Sequence, residues 1–239
     1  MVTTPDLGPL FHWTPAPIPA RAPIVGATVR LEPLDPSQHG PTLWMASHGP
    51  GHDAALWDYL GYGPFAAETE FRAWLTAQAA SADPLFFAIV ESTTGRAEGM
   101  AAYMRIAPAD GVIEIGNIWF GAALQQSRQA TEAIFLLGKH AFDDLGYRRL
   151  EWKCNDRNAR SRAAAARFGF TYEGTFRQHM ISKGRNRDTA WFSIIDGEWP
   201  AIRRGFERWL AAENFEADGR QRASLADLRA IGQSDSPED

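Results

Sequence analysis

Ile113-Glu114-Ile115-Gly116-Asn117-Ile118-Trp119-Phe120 runs directly into Gly121-Ala122-Ala123-Leu124-Gln125-Gln126-Ser127-Arg128-Gln129-Ala130-Thr131-Glu132-Ala133. The first half is apolar and β-rich, with one acid, Glu114. The second turns small and polar, then takes a helical pattern through Ile134, Leu137 and Ala141. A strand that feeds a helix through a short polar loop makes an anion site, because unpaired amides and the positive end of the helix dipole converge on the loop. The stretch therefore predicts a phosphate-bearing ligand at the loop, with Glu114 near its reactive end.

Working outward, residues 28–33 read as a strand, 36–47 as a helix, 54–60 as a short helical turn and 68–81 as a second helix. Residues 85–91, 99–106 and 112–120 are apolar runs joined by short turns, which predicts an antiparallel meander. The helix pattern of 126–145 stops at Gly146, and 149–154 returns as a strand expected to lie parallel to 112–120. An Ala-rich helix over 158–168, strands over 170–176 and 189–196, and an amphipathic helix over 199–212 follow. From Glu213 onward the chain is polar, and disorder is expected over 234–239. At the other end Pro5, Pro9, Pro15, Pro17, Pro19 and Pro23 predict an extended arm. Phe11 and Trp13 should lay that arm on its own domain or on a partner subunit.

Composition narrows the class. With 45% hydrophobic residues, nine of them Trp, in 239, the chain can bury a sizeable core. A net charge of −5 argues against nucleic acid as the main partner. The single Cys154 excludes an intramolecular disulfide and favours a reducing, cytoplasmic setting. No apolar run approaches the ~20 residues of a membrane span, and residues 1–20 lack the pattern of a secretory signal. His48 and His52 sit in a Gly-rich segment without a third ligand, so no metal is expected. Cys154 reads as a small buried apolar residue, and 183–187 as a solvated basic hairpin tip or, alternatively, as a contact for an acidic substrate.

The order of elements from 28 to 196 resembles the GNAT superfamily of acetyl-CoA-dependent N-acyltransferases. Glu114-Ile115-Gly116, Ala130-Thr131-Glu132-Ala133, the run 155–161 and Phe168-Gly169-Phe170 with Glu173-Gly174 carry the resemblance. Within the superfamily it looks most like the branch containing the ribosomal-protein N-terminal acetyltransferases. The resemblance implies an α/β fold: a mixed, mostly antiparallel sheet, flanked by helices and splayed between 112–120 and 149–154, with acetyl-CoA in the splay. It divides the chain into an arm (1–26), an acetyltransferase domain (27–197) and a C-terminal helical extension (198–239). Arm and extension lie outside the resemblance and are expected to form a homodimer interface or a cap.

The same resemblance supplies the site. The family's (Q/R)-x-x-G-x-(G/A) loop places Gln125 first and Ala130 last, so the amides of Gln125, Gln126, Ser127, Arg128, Gln129, Ala130 and Thr131 would hold the CoA pyrophosphate. Arg128 stands where the family has Gly. Either its cation meets a phosphate, with Ser127 and Thr131 adding hydroxyls, or the loop is distorted. Asn155, Asn158 and Ser161 would face the pantetheine or phosphate arm, and Asn158 equally suits a helix N-cap. Glu114 is the candidate base, directly or through water, or else a strand Glu paired with Arg105. The Phe120 amide would support the thioester oxygen. Strict alternation puts Glu114, Gly116, Ile118 and Phe120 on one face, but the segment is about one residue long for the family and a bulge would reassign the faces. The Tyr that many relatives use to reprotonate the thiolate is missing from the 158–168 helix, which leaves Ser161 or water. The implied reaction is direct transfer of acetyl to a primary amine, either a protein N-terminal α-amine or a small molecule. Use of another acyl-CoA and an idle acyl-CoA-binding scaffold are the alternatives.

Overall fold

The structure, a computed structural model, describes residues 13–234. The expectations for Phe11 and for the rest of 1–12 and 235–239 lie outside the described residues. The chain forms strands β1 (Ile24–Val25), β2 (Val29–Pro33), β3 (Leu85–Glu91), β4 (Ala97–Ala107), β5 (Val112–Phe120), β6 (Arg149–Asn155), β7 (Thr171–Ser182) and β8 (Arg185–Ile195). They make one sheet in the order β1-β2-β3-β4-β5-β6-β8-β7. All neighbours are antiparallel except β5 and β6. That pair is joined by a helical crossover, the connection parallel neighbours require.

Helices α1 (Pro36–His48) and α2 (Glu68–Ala80) pack on one face. Helices α3 (Arg128–Lys139), α4 (Ala159–Phe168), α5 (Trp199–Leu210) and α6 (Leu225–Ser234) gather on the other. Each face has its own core. Leu43, Trp57, Phe71, Leu75, Met100 and Trp119 fill the first, whereas Leu31, Ile113, Ile115, Leu137, Trp152, Phe168 and Phe206 belong to the second.

Three details differ from the pattern read in the sequence, and a fourth decides between two alternatives it left open. The helix expected over 126–145 is α-helical only from Arg128 to Lys139 and continues as a π turn over His140–Asp144. There the Tyr103 hydroxyl donates to the Leu137 carbonyl (2.6 Å), competing with the ladder. Strands β7 and β8 run on to a two-residue turn at Lys183 (φ 49°) and Gly184 (φ 72°), so the basic segment is mostly strand. Their exposed polar ends lack the alternation that signals a buried strand. Between Glu213 and Ser234 the polar segment forms further structure. Leu225 buries its side chain (1% exposed), α6 packs on α5, and Arg222 N–H donates to the Asn214 carbonyl (2.7 Å). Finally, the described part of the arm lies on its own domain. Trp13 Nε1 donates to the Ala109 carbonyl (2.7 Å), and the Arg21 guanidinium donates to the carbonyls of Ala79 and Ser81.

Candidate functional site

The loop between β5 and α3 is held from below. Gly121 sits against Ala46 and the Glu98 carbonyl, where a Cβ would come within 2.9 Å of both. Leu124 is buried at 2% exposure. The one left-handed residue of the loop is Gln126 (φ 57°). Ser127 caps α3: its hydroxyl accepts from the Ala130 amide (3.0 Å) and donates to the Leu124 carbonyl (2.7 Å). Arg128 is therefore the first helical residue, a position that asks nothing of Gly. Its guanidinium turns away from the loop, donates to the Leu210 carbonyl and lies over the Phe215 ring, 4.8 Å from its centre. Among the described residues the amides of Gln126, Arg128 and Gln129 find no protein acceptor. They border an open cleft of about 810 Å³, whose far wall is Trp209 and the segment from Phe215 to Gln221. Glu132 has a different task. Its buried carboxylate accepts from the amides of Ala27 (2.6 Å) and Thr28 (2.8 Å) and so ties α3 to the β1–β2 turn.

The sheet opens beside this loop. Strands β5 and β6 pair only from Val112–Arg149 to Glu114–Glu151. Beyond that point β5 bonds only to β4 and β6 only to β8. Within the opened part Asn117 (φ 51°) is a bulge: Gly116 pairs with Ala102 and Trp119 with Met100, two residues of β5 against one of β4. Ile113 and Ile115 before the bulge, and Ile118 and Phe120 after it, pack into the α3 core, while Trp119 packs into the α1 core. Glu114 thus shares its face with Trp119 and not with Phe120.

Glu114 is 3% exposed and doubly paired, with Arg105 Nη1 at 2.8 Å and Lys153 Nζ at 3.0 Å. Lys153 also reaches Glu151 (2.5 Å) and stands over the Trp191 ring (3.8 Å). Arg149 extends the network to Glu151 and, through two bonds, to Glu173, which those bonds hold below the usual carboxylate range. Across the splay, Asn155 Oδ1 accepts from the Arg157 amide and Asn158 Oδ1 from the Ser161 amide, both at 3.0 Å, so Asn158 is the N-cap of α4. Ser161 Oγ accepts from Trp152 Nε1 (3.0 Å). Buried Cys154 lies beside it, its thiol pushed up by burial and so kept neutral. Thr131 and Arg167 join α3 to α4 at 3.1 Å.

The loop residues 125–131 follow the opened end of β5 and Asn155, Asn158 and Ser161 follow or end β6, while the Glu114 side chain lies on the face of α1 and α2. Sequence reading missed Lys153 and the 215–221 segment, and took Arg187 only as part of the basic segment 183–187. Lys153 had a signal: it is the only cation inside the apolar run Leu150-Glu151-Trp152-Lys153-Cys154. His48 is a packing residue. It stacks on Trp44 (4.0 Å between ring centres) and accepts from the Phe65 amide at Nε2 (3.2 Å).

Comparison with known proteins agrees with this architecture. The family model for an acetyltransferase (GNAT) domain matches residues 29–171. A GCN5-related N-acetyltransferase from Brucella melitensis is 48% identical, superposes with a TM-score of 0.88, and matches over 92% of this chain and 99% of its own. A structure described as a probable acetyltransferase of the GNAT family from Chromobacterium violaceum is 45% identical with a TM-score of 0.75, over 82% and 98% of the two chains. An acetyltransferase from Salmonella typhimurium that modifies the N-terminal serine of a 50S ribosomal subunit protein shares the fold alone, at 22% identity and a TM-score of 0.62 over 72% and 98%. No curated protein matches the sequence. The family-model match and the two close structural relatives, together with the splayed sheet, show that this chain is an N-acetyltransferase belonging to the GNAT family.

Proposed function

We propose that the chain moves an acetyl group from acetyl-CoA directly to a primary amine, within a complex of both substrates. The observation that carries this is the pairing of a sheet opened after Glu114 with three amides at Gln126, Arg128 and Gln129 that have no protein acceptor. Buried or half-buried amides need partners, and a pyrophosphate supplies them at a helix N-terminus. In this reading Gln125, Gln126, Ser127, Arg128, Gln129, Ala130 and Thr131 hold the pyrophosphate, chiefly through the backbone. Asn155, Asn158 and Ser161 line the pantetheine arm. Acetyl-CoA supplies an activated thioester carbonyl.

The chain's own groups then act from the strand end and from one face of the sheet. The Phe120 amide, at the end of β5, donates to the carbonyl oxygen as negative charge develops there. Glu114, on the α1 face, receives the amine proton through water as the N–C bond forms and the C–S bond breaks. Ser161 or water returns a proton to the departing thiolate. A second reading of Glu114 rests on its two cations at 2.8 and 3.0 Å: a structural ion pair that fixes where the sheet opens. Mutation to Gln separates the two. Loss of the acidic limb of the kcat pH profile supports the proton role, whereas a fall in stability with the profile unchanged supports the structural one.

A protein N-terminal amine or a small amine is the acceptor, and the protein acts in the cytoplasm. The domain division at about 26 and 197 and a homodimer through the extension belong to the same proposal. Titration calorimetry with acetyl-CoA and thiol release with candidate amines test it. No binding and no thiol release would reject it.

A further inference from the structure

The face of the sheet that carries Glu114 holds more positive charge than it can pair. Alternation from the α3 core, which takes Leu150, Trp152 and Cys154 of β6 and Ala190, Phe192 and Ile194 of β8, puts Arg149, Glu151 and Lys153 on this opposite face. Arg187, Thr189 and Trp191 of β8 join them. Three carboxylates here are satisfied: Glu114 by Arg105 and Lys153, Glu151 by Lys153 and Arg149, and Glu173 by Arg149. Among the described residues Arg187 has no carboxylate partner. Its Nε is buried with no acceptor among the described residues, and burial draws its pKa below the ordinary guanidinium value. It lies close enough to Glu114 and Arg105 to feel both charges.

Three further donors around this opening are also unmatched. The indole N–H groups of Trp57 (2% exposed), Trp119 (3%) and Trp191 are buried without an acceptor among the described residues. Trp57 and Trp119 are 6.0 Å apart between ring centres. The Lys183 ammonium fastens the loop carrying Trp57 to the β7–β8 turn, through the carbonyls of Trp57 and Gly63 at 2.7 Å. The rim is open to solvent at Phe176, which packs on Trp191 at 4.5 Å and is 52% exposed. A half-buried guanidinium without a counter-ion, among buried donors without acceptors, is a costly arrangement unless a ligand's oxygen atoms complete it.

We infer that Arg187 and the neighbouring indoles receive a carboxylate, so that the acceptor is a primary amine carrying a carboxylate a few bonds away. With the carboxylate on Arg187, the amine end is directed toward Glu114 and the mouth of the splay. This rests on the acetyl-transfer reading above and adds the acceptor's class to it.

The experiment compares matched acceptors with wild-type protein and saturating acetyl-CoA: alanine against alaninamide, and the C-amidated tripeptides Ala-Glu-Gly against Ala-Gln-Gly. Preference within the first pair identifies an α-carboxylate and within the second an acidic side chain. The expected result is about a tenfold higher kcat/KM for the carboxylate member of one pair, carried mainly by KM. Arg187→Gln should bring that member to the level of its neutral partner, while Arg187→Lys should keep part of the preference and so exclude misfolding as the cause. No preference in either pair, or a preference that survives Arg187→Gln, overturns the inference. Tryptophan fluorescence titration with the same amines, with and without CoA, gives the ratio as a Kd if none is turned over, and equal Kd values or no binding would overturn it too. Failure of acetyl-CoA itself to bind rejects the acetyl-transfer reading instead, and is seen separately in the calorimetry.

Discussion

Glu114 and Phe120 stand six residues apart on one strand and yet face opposite sides of the sheet, because Asn117 inserts a residue between them at φ 51°. The arrangement assigns the Glu114 carboxylate to the face of α1 and α2 and the Phe120 ring to the face of α3, while the Phe120 amide lies in the plane of the sheet.

The bulge makes a direct stability prediction. Asn tolerates the left-handed region, Gly prefers it and β-branched residues do not. Asn117→Gly should change stability by no more than about 0.5 kcal/mol, and Asn117→Val should cost about 1–2 kcal/mol. Urea unfolding of the three proteins checks this.

The pair of Glu114 with Lys153 should behave as a buried ion pair, both side chains being 4% exposed. Removing one partner strands the other. Lys153→Met or Glu114→Gln alone should cost about 3 kcal/mol, and the double variant should cost clearly less than the sum. A double-mutant cycle by chemical denaturation measures the coupling, and simple additivity would contradict the paired geometry.

Arg128 separates side chain from backbone. Its guanidinium serves the C-terminal segment and its amide faces the cleft, so Arg128→Ala should keep acetyl-CoA affinity within about threefold while exposing the 211–234 region to protease. Proline is accommodated at the first helical position, and Ser127 before it is already extended (φ −90°, ψ 166°). Arg128→Pro should therefore fold, but lose the amide and about tenfold more affinity than Arg128→Ala. Calorimetry and limited proteolysis on the two variants provide the comparison.

His48 makes stability depend on pH. Burial first, and the charge of His52 second, lower its pKa below the ordinary histidine value of 6.5. The folded state therefore holds the neutral ring, whose Nε2 accepts from the Phe65 amide. Above pH 6.5 the ring is neutral in both states and its contribution is fully present. As pH falls from there toward the lower folded value the unfolded chain binds the proton more readily, and the contribution is lost. The Tm advantage of wild type over His48→Gln should shrink between about pH 7 and pH 5. Parallel melting curves at each pH would show it.

Much of the layout was legible before any tertiary contact was known. The apolar runs of β3 and β5 and the break at Gly146 each follow from local chemistry. So does Asn158 as an N-cap, its side chain three residues before the Ser161 amide it receives. What escaped was structure without apolar periodicity. The outer parts of β7 and β8 are largely exposed and set Met180 and Ile181 among polar and charged residues without a buried alternation, and α6 buries Leu225 within a polar segment.

By itself the sequence determined the order of strands and helices, the polar loop at a helix start and the single acid in an apolar strand, because backbone preference and side-chain periodicity are local. Tertiary structure alone decided which face that acid takes, since one residue of bulge reverses every side chain beyond it. It also decided the partners. Lys153 meets Glu114, Arg128 meets Leu210, and Arg187 is left without a carboxylate, all through pairings between segments distant in the chain. Charge pairing depends on distance and burial, and neither is written in the spacing of residues along the chain.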